Sequence, residues 1–241
     1  MKKIILPIKG SNEKYTVNPE KIIALGLNYY EHVKESVLLD KNIFTEELPI
    51  EPILFSKTPN VLIGNGENII IPAFLKTDYS FKDLRVDYEA ELALIIKDRC
   101  KDVSVSEALD HVLGYTCMND VSMRNMQLSD KSGWFRGKSL DTFGPIGPVI
   151  VLSEDMQNSH SLGIRCRLNG KLVQESNTEH MIFSIAEMIS FISKHFTLEP
   201  GDIIMTGTPQ GVGPLKNGDI VEVEIDGIGV LKNKVLDESI D

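Results

Sequence analysis

Short apolar segments bounded by turn residues recur along this chain, and the pattern favours a fold made mainly of β-strands. Residues 69–71 form one such segment, and Ala90–Ile96 is an almost continuous apolar run. Asn169-Gly170 and Asp226-Gly227 each separate two apolar stretches, and such dipeptides are typical of tight hairpins. We therefore predict a β-rich core with a hairpin at each dipeptide, the second hairpin having a short return strand that ends at Val230.

Helical signals are fewer than strand signals. Ser184 and Glu187 form a capping box, and the apolar residues that follow recur at helical spacing as far as Phe196. Ser104 with Glu107 opens a second, shorter helical pattern. We therefore predict a mixed α+β fold in which a few helices, one of them amphipathic, pack on a dominant sheet.

The overall composition is that of a globular chain with one main domain. The chain has 241 residues, of which 42% are hydrophobic and 25% charged, so it is long enough to bury a substantial core. No repeat, low-complexity stretch or flexible linker divides it. The simplest division is a short N-terminal extension at residues 1–19 followed by a catalytic domain at residues 20–241.

Charge and hydropathy exclude several classes of partner. The formal net charge of -10 would repel a phosphate backbone, which argues against nucleic-acid binding. No apolar run approaches the roughly 18 residues that span a bilayer, and Pro7 comes before any signal-peptide core could form. We therefore expect a cytoplasmic protein with no membrane partner. The odd number and wide spacing of the cysteines predict reduced, buried thiols at Cys100, Cys117 and Cys166.

Two glutamates lie two residues apart at the start of the longest apolar run. Glu89 and Glu91 would point to the same face of a strand, where two like charges disfavour each other's ionisation unless a cation or proton intervenes. Carboxylate oxygens are preferred by Mg²⁺, Mn²⁺ and Ca²⁺. From the spacing alone, the solvated face of an edge strand is the preferred interpretation. A third acid, Asp120, ends an uncharged strand-like run and favours the metal-site interpretation.

Further polar segments surround these acids in the sequence. His32 and Glu35 lie three residues apart, on one helical face, where a carboxylate orients an imidazole for general-base work; a surface ion pair is the alternative. Residues 30–40 are weakly helical and polar, and a charged stretch follows at 40–47, so we predict a mobile segment. The Gly-rich residues 206–213 suit either an anion-binding loop or a tight turn.

Taken together, these segments resemble the fumarylacetoacetate hydrolase family. The motifs that carry the resemblance run in order over about residues 20–235: GLNYYEHVKE, VDYEAELALII, GYTCMNDVSMRNMQ, WFRGKSLDTFGPIGP, LNGKLVQ, LEPGDIIMTGTPQGVG and LKNGDIVEVEIDGIG. The similarity is greatest to the short members that act on acylpyruvates and oxaloacetate. It implies a rolled β-sandwich, a homodimer and bound Mg²⁺, with Mn²⁺ or Ca²⁺ as alternatives.

The resemblance also implies roles for individual residues. Its metal carboxylates fall on Glu89, Glu91 and Asp120, its lysine on Lys138, and its lid dyad on His32 and Glu35. Its substrate-contacting residues fall on Arg124, Gln127 and Thr208. Leu27 is a departure, because many relatives carry Arg there, and this change bears on which acid is accepted or how the lid closes.

These residues predict a metal-dependent enzyme that acts on small 2-oxo acids through an enolate. C–C hydrolysis of acylpyruvates and decarboxylation of oxaloacetate both produce pyruvate enolate at such a site. An isomerase or tautomerase of 2-hydroxy-dienedioates or enol-oxaloacetate is the alternative, and a binding module with a structural metal is a further one. Product analysis separates the two enzymatic classes, because only the first releases pyruvate.

Overall fold

The computed structural model describes residues 3–39, 45, 47–131, 133–156 and 158–239 of the chain. Most of the regular structure in these residues is β-strand. In chain order the strands are β1 (Ile4–Pro7), β2 (Lys14–Val17), β3 (Ile22–Gly26), β4 (Ile53–Lys57), β5 (Leu62–Ile63), β6 (Asn68–Ile71), β7 (Val86–Tyr88), β8 (Ala90–Ile96), β9 (Val112–Asn119), β10 (Ser122–Met123), β11 (Gly144–Leu152), β12 (Gly163–Leu168), β13 (Lys171–Asn177), β14 (Ile203–Met205), β15 (Gly213–Pro214), β16 (Ile220–Ile225) and β17 (Gly229–Asp237).

Helices are short and lie between the strands. The α-helices are α1 (Tyr30–Leu39), α2 (Phe74–Thr77), α3 (Arg124–Ser129), α4 (Phe135–Lys138) and α5 (Ile185–His195). Short 3-10 helices occupy Pro59–Val61, Ala108–His111, Ser153–Asp155 and Thr178–His180. Of the helices that the structure describes, none is long and apolar enough to cross a bilayer.

Two large sheets face each other across the main apolar core. One has seven strands in the order β4-β3-β14-β8-β9-β11-β5, and the other has five in the order β13-β12-β16-β17-β6. A small sheet of order β10-β7-β15 lies beside them, and β1 and β2 form a separate hairpin. The predicted β-rich fold with few helices is therefore confirmed.

Strand β8 is buried on both of its faces, which explains its almost continuous apolar sequence. Leu92 and Leu94 belong to the core between the two large sheets, and Ile95 belongs to a second core on the opposite face. The N-terminal hairpin covers that second core through Ile4 and Leu6. The edge-strand interpretation of Glu89 and Glu91 is therefore wrong, since β8 lies between β14 and β9.

Both predicted hairpins form. Asn169 and Gly170 have φ angles of 53° and 79°, the left-handed conformation that a two-residue hairpin turn requires, and β12 pairs antiparallel with β13 across them. Strands β16 and β17 also pair antiparallel. Strand β17 continues to Asp237, well beyond the predicted end at Val230, because it pairs in parallel with β6 on its other side.

The helical predictions are met to different degrees. Ser184 caps α5 with a reciprocal capping box to Glu187, as expected. Phe196 was placed on the buried stripe of that helix, but it follows the last helical residue and is 48% exposed. Ser104 and Glu107 do not open an α-helix: their side chains bond to each other at 2.6 Å, and a 3-10 helix follows at Ala108–His111.

The N-terminal residues pack against the main domain in the form of the β1–β2 hairpin. The division into an extension at residues 1–19 and a catalytic domain stays a prediction. The predicted mobile segment is helical over Tyr30–Leu39. In the charged stretch that follows it, residues 40–44 and 46 lie outside the described residues.

Candidate metal centre and its surroundings

The centre forms where the ends of β8 and β9 pair. Glu89 interrupts the strand between β7 and β8, and its backbone carbonyl accepts a hydrogen bond from the Asp120 amide at 2.8 Å. The Asn119 side chain accepts a hydrogen bond from the Glu89 amide at 2.9 Å. These contacts replace regular ladder bonds at the break, and they fix two acidic residues side by side on neighbouring strands.

The three predicted acids converge. Glu89, Glu91 and Asp120 each offer a carboxylate oxygen, and these atoms all lie within 4.8 Å of one another. The residues are 4%, 1% and 0% exposed, so water screens their charges poorly. Three carboxylates in a buried site destabilise the protein unless cations balance them.

Two buried lysines supply part of that balance. Lys138 donates to Glu89 Oε2 at 2.7 Å and to Asp120 Oδ2 at 2.6 Å. Lys57 donates to Asp120 Oδ1 at 2.6 Å, and both side chains are fully buried. Burial alone would lower the pKa of Lys138, but the charges of Asp120 and Glu89 raise it above its ordinary value. Lys138 is therefore a stable ammonium between two of the acids.

Arg124 balances the charge on the other side of Glu89. Its guanidinium donates to Glu89 and, at 2.8 Å, to the buried Asp87. Burial alone would raise the pKa of Glu89, but Arg124 and Lys138 hold it well below the ordinary value. Glu89 is therefore ionised at any physiological pH.

Among the residues that the structure describes, no lysine or arginine forms an ion pair with Glu91, and its charge is the least balanced of the three acids. Burial first, and then the charges of Asp120 and Glu89, raise the pKa of Glu91 well above its ordinary value. Its Oε2 accepts a hydrogen bond from the Gly207 amide at 2.8 Å. A hard divalent cation among these oxygens would take the place of the proton on Glu91, so the donor set fits such an ion.

The Gly-rich loop at residues 206–213 receives anionic groups, but they belong to the chain itself. The Gly207 amide binds Glu91, and the Gly211 amide donates to Glu35 Oε1 at 2.9 Å. Gly207 has a φ of 93°, which favours glycine, and an added Cβ would lie 2.9 Å from Asn28 Cβ. The loop therefore positions two acidic side chains of the site.

The predicted His32 and Glu35 dyad forms on α1. His32 Nδ1 lies 2.9 Å from Glu35 Oε2, and Gly211 holds the other oxygen of that carboxylate. His32 is 6% exposed, so the surface ion-pair alternative does not describe it. A carboxylate fixed at Nδ1 leaves Nε2 as the nitrogen that can take or give a proton.

The other predicted residues also reach this region. Arg124, Gln127 and Thr208 line the same narrow cavity as His32 and Lys138. Arg124 donates to Gln127 Oε1 at 2.8 Å, and the buried Gln174 donates to Thr208 Oγ1 at 2.9 Å. The structure therefore gathers all of the predicted site residues around one cavity or beside it.

The cavity is small in this conformation. Its volume of about 20 Å³ suffices for little more than one water molecule. Two larger depressions, of about 570 and 490 Å³, lie elsewhere on the surface, and none of the three clustered acids lines either one. The buried charges and the histidine lie at the smaller cavity, which makes it the candidate site.

Sequence reasoning missed several residues of the site. Lys57 ends β4, where a terminal lysine ordinarily reaches solvent, and nothing in the sequence links it to Asp120. Asp87 stands in the acidic run before β8 and could have been found from its alternation with Glu89 and Glu91. The role of Asn119, next to Asp120, depends on the break in the strand and carries no local signal.

Comparison with known proteins identifies the family. The family model described as fumarylacetoacetate (FAA) hydrolase C-terminal matches residues 21–236. Over 228 aligned residues the chain is 43% identical to the oxaloacetate tautomerase fahd2, mitochondrial, of Xenopus laevis. The alignment covers 91% of this chain and 66% of that protein.

Two solved structures resemble the whole described fold. The fumarylpyruvate hydrolase of Pseudomonas aeruginosa, in complex with Mn²⁺ and pyruvate, matches with a TM-score of 0.84 at 28% identity, covering 98% of this chain and 97% of that one. The 5-carboxymethyl-2-hydroxymuconate delta-isomerase of Mycobacterium smegmatis matches with a TM-score of 0.80 at 34% identity, covering 95% of this chain and 87% of that one. The chain belongs to the fumarylacetoacetate hydrolase family.

Proposed function

We propose that this chain is a divalent-metal-dependent enzyme that acts on small 2-oxo acids through an enolate. The reaction that we propose first is hydrolysis of the C–C bond of acylpyruvates, with decarboxylation of oxaloacetate at the same site. The observation that carries the proposal is the oriented His32–Glu35 dyad beside a buried cluster of three carboxylates. A base next to a metal centre is the arrangement that these reactions need.

Glu89, Glu91 and Asp120 are the residues that would hold the ion. A bound Mg²⁺ would supply a Lewis acid for the carboxylate and keto oxygens of a 2-oxo acid, and Mn²⁺ or Ca²⁺ accept the same oxygen donors. Arg124, Gln127 and Thr208, which line the cavity, are proposed to contact the substrate.

His32 is the proposed general base. It removes a proton from water, and the resulting hydroxide attacks the carbonyl carbon furthest from the carboxylate. The C–C bond then breaks, and its electron pair stays with the pyruvate fragment as an enolate, which afterwards takes a proton. Lys138 uses two N–H groups on Glu89 and Asp120, so its third can donate to this developing negative charge.

Isomerisation or tautomerisation is the second candidate, with 2-hydroxy-dienedioates or enol-oxaloacetate as substrates. It is supported by the names of the Xenopus laevis tautomerase and the Mycobacterium smegmatis isomerase, to which the chain is similar. The same histidine would move a proton between two atoms of the substrate without activating water. The cytoplasmic location and the homodimer stay predictions.

A substrate panel distinguishes these reactions. Acetylpyruvate, oxaloacetate, fumarylpyruvate and a 2-hydroxy-dienedioate are incubated with enzyme and Mg²⁺, while pyruvate formation and enol absorbance are followed together. Hydrolysis or decarboxylation releases pyruvate, whereas tautomerisation changes only the enol absorbance. Absence of both signals for every acid would contradict the proposed function.

The role of His32 is tested by substitution. His32→Ala should lower kcat for acylpyruvate cleavage by about 10²–10⁴-fold, because a positioned base contributes that much. Metal affinity, measured by calorimetry, should be unchanged, since His32 is not among the clustered acids. His195→Ala serves as the control, because His195 is bonded to a backbone carbonyl at the end of α5. Normal turnover by the His32 variant would refute the assigned role.

A further inference from the structure

Apolar side chains, among them Leu27, Phe55 and Trp134, line the cavity beside its charged groups. Glu89 and Glu91 line the same cavity, and we call Leu27, Phe55 and Trp134 the apolar wall. Leu27 directly follows β3 and has a φ of 55°, a conformation that non-glycine residues rarely adopt. The backbone is therefore held in an unfavourable conformation at a residue that faces the substrate space.

Packing fixes the rest of the apolar wall. Trp134 lies so close over Gly26 that an added Cβ there would be 2.5 Å from a ring carbon. The rings of Phe55 and Trp134 meet edge to face with their centroids 5.3 Å apart. Lys138 Nζ lies 4.8 Å from the centroid of the Phe55 ring, so the apolar wall directly adjoins the charged groups.

The charged groups at the cavity already have partners. Apart from His32, the cations among the described residues that line the cavity are Lys138 and Arg124, and both bind carboxylates of the chain. The charges of both cations are already balanced by carboxylates of the chain, so they attract a second anionic group of a ligand only weakly. An anion placed against the apolar wall would lose its hydration, and the nearest ammonium, Lys138, is already paired with Glu89 and Asp120.

The charge balance leads to the same conclusion. With a divalent cation bound, Glu89, Glu91 and Asp120 contribute three negative charges, of which Lys57 and Lys138 cancel two, while Arg124 and Asp87 cancel each other. The cation then leaves one net positive charge at the centre. One carboxylate of a 2-oxo acid neutralises it, and no charge is left for a second carboxylate further along the ligand.

We propose that the apolar wall selects 2-oxo acids whose fifth carbon is uncharged, as in acetylpyruvate, over those that carry a carboxylate there. This inference rests on the proposed function, because it takes the acid end of the ligand to lie at the metal centre. Oxaloacetate is not excluded, because its second carboxylate is its fourth carbon.

The test compares two ligands of equal length in the metal-loaded protein. The five-carbon acids 2-oxopentanoate and 2-oxoglutarate differ only in a terminal methyl or carboxylate group, and calorimetry measures their binding without turnover. We expect 2-oxopentanoate to bind wild-type protein at least about tenfold more tightly, because an unpaired charge against an apolar surface is costly.

Two variants assign the preference to Leu27. Leu27→Arg adds a cation to the wall and should shift the affinity ratio at least about tenfold towards 2-oxoglutarate, the effect of one charged hydrogen bond. Leu27→Gln is the matched control, since it places an uncharged side chain on the same backbone conformation and should leave the preference for 2-oxopentanoate in place. Melting temperatures of both variants show whether they fold.

The outcomes separate this inference from the proposed function. Equal binding of the two acids to wild-type protein, or tighter binding of 2-oxoglutarate, would overturn the inference alone. A ratio that Leu27→Arg does not change, or that Leu27→Gln changes as much, would overturn the role of Leu27. Oxalate, a mimic of pyruvate enolate, is included as a further ligand. If the wild-type protein binds neither acid nor oxalate with Mg²⁺ or Mn²⁺ present, the proposed function is overturned and the inference with it.

Discussion

Lys57→Met is the substitution that probes the charge balance of the centre most sharply. In metal-free protein it leaves the buried Asp120 with Lys138 as its remaining cation. Removing one partner of a buried ion pair costs about 3–5 kcal/mol. Burial lowers the pKa of Lys57, so the lysine is itself destabilised there, and we take the lower figure of about 3 kcal/mol. For a chain of this length, Tm should fall by roughly 6–12 °C.

The same variant should bind a divalent cation more tightly. Lys57 places a positive charge on the carboxylate that would hold the ion, so its loss removes a repulsion and should raise the affinity at least about tenfold. Calorimetric melting with EDTA and then with Mg²⁺ measures both effects. The rise in Tm on adding Mg²⁺ should therefore be larger in the variant than in wild type.

Lys21→Met is the matched control for this experiment. Lys21 binds the buried Asp202 at 2.8 Å, but Asp202 is not one of the clustered acids. The control should lose stability and keep the wild-type response to Mg²⁺. A metal-free Tm of Lys57→Met within about 2 °C of wild type, or a response to Mg²⁺ no larger than that of wild type, would refute the reasoning.

Three further predictions concern the Gly-rich loop at residues 206–213, the release of protons on metal binding, and the N-terminal cap of α5. Gly207→Ala should lower stability by about 1–3 kcal/mol and weaken metal binding, whereas Gly218→Ala, with a similar φ but open space around it, should only lose stability. Metal binding should release protons, seen in buffers of different ionisation enthalpy, because the raised pKa of Glu91 favours its protonated form without metal. Affinity should then rise with pH, and no release would contradict this. Ser184→Ala should cost about 1 kcal/mol in denaturant unfolding, and no change would argue against the cap.

Local chemistry made much of the fold predictable. The turn at Asn169-Gly170 and the capping box at Ser184 depend on a few neighbouring residues, so the sequence there determines the geometry. Parallel pairing could not be predicted in this way, because the paired strands are far apart in sequence. Strand β3 pairs with β14, and β6 pairs with β17. Such pairs have no local signature, and for that reason the length of β17 was underestimated.

The site likewise contains residues that could be predicted from the sequence and residues that could not. Glu89 and Glu91 could be paired from their spacing, and Asp120 and the His32–Glu35 pair were candidates from their sequence context. Family resemblance then implied the roles of all five residues. The contact of Lys57 with Asp120 joins the end of β4 to the end of β9, and only the folded chain brings them together. Sequence could not tell that the amides of Gly207 and Gly211 bind carboxylates of the chain, because the loop's partners lie far away in sequence.

The central claim is that three buried carboxylates hold one divalent cation. Anomalous diffraction from crystals of the protein grown with Mn²⁺ tests it most directly. We predict one strong anomalous peak in contact with oxygens of Glu89, Glu91 and Asp120. A peak bound elsewhere, or no peak among these oxygens at saturating Mn²⁺, would contradict the claim.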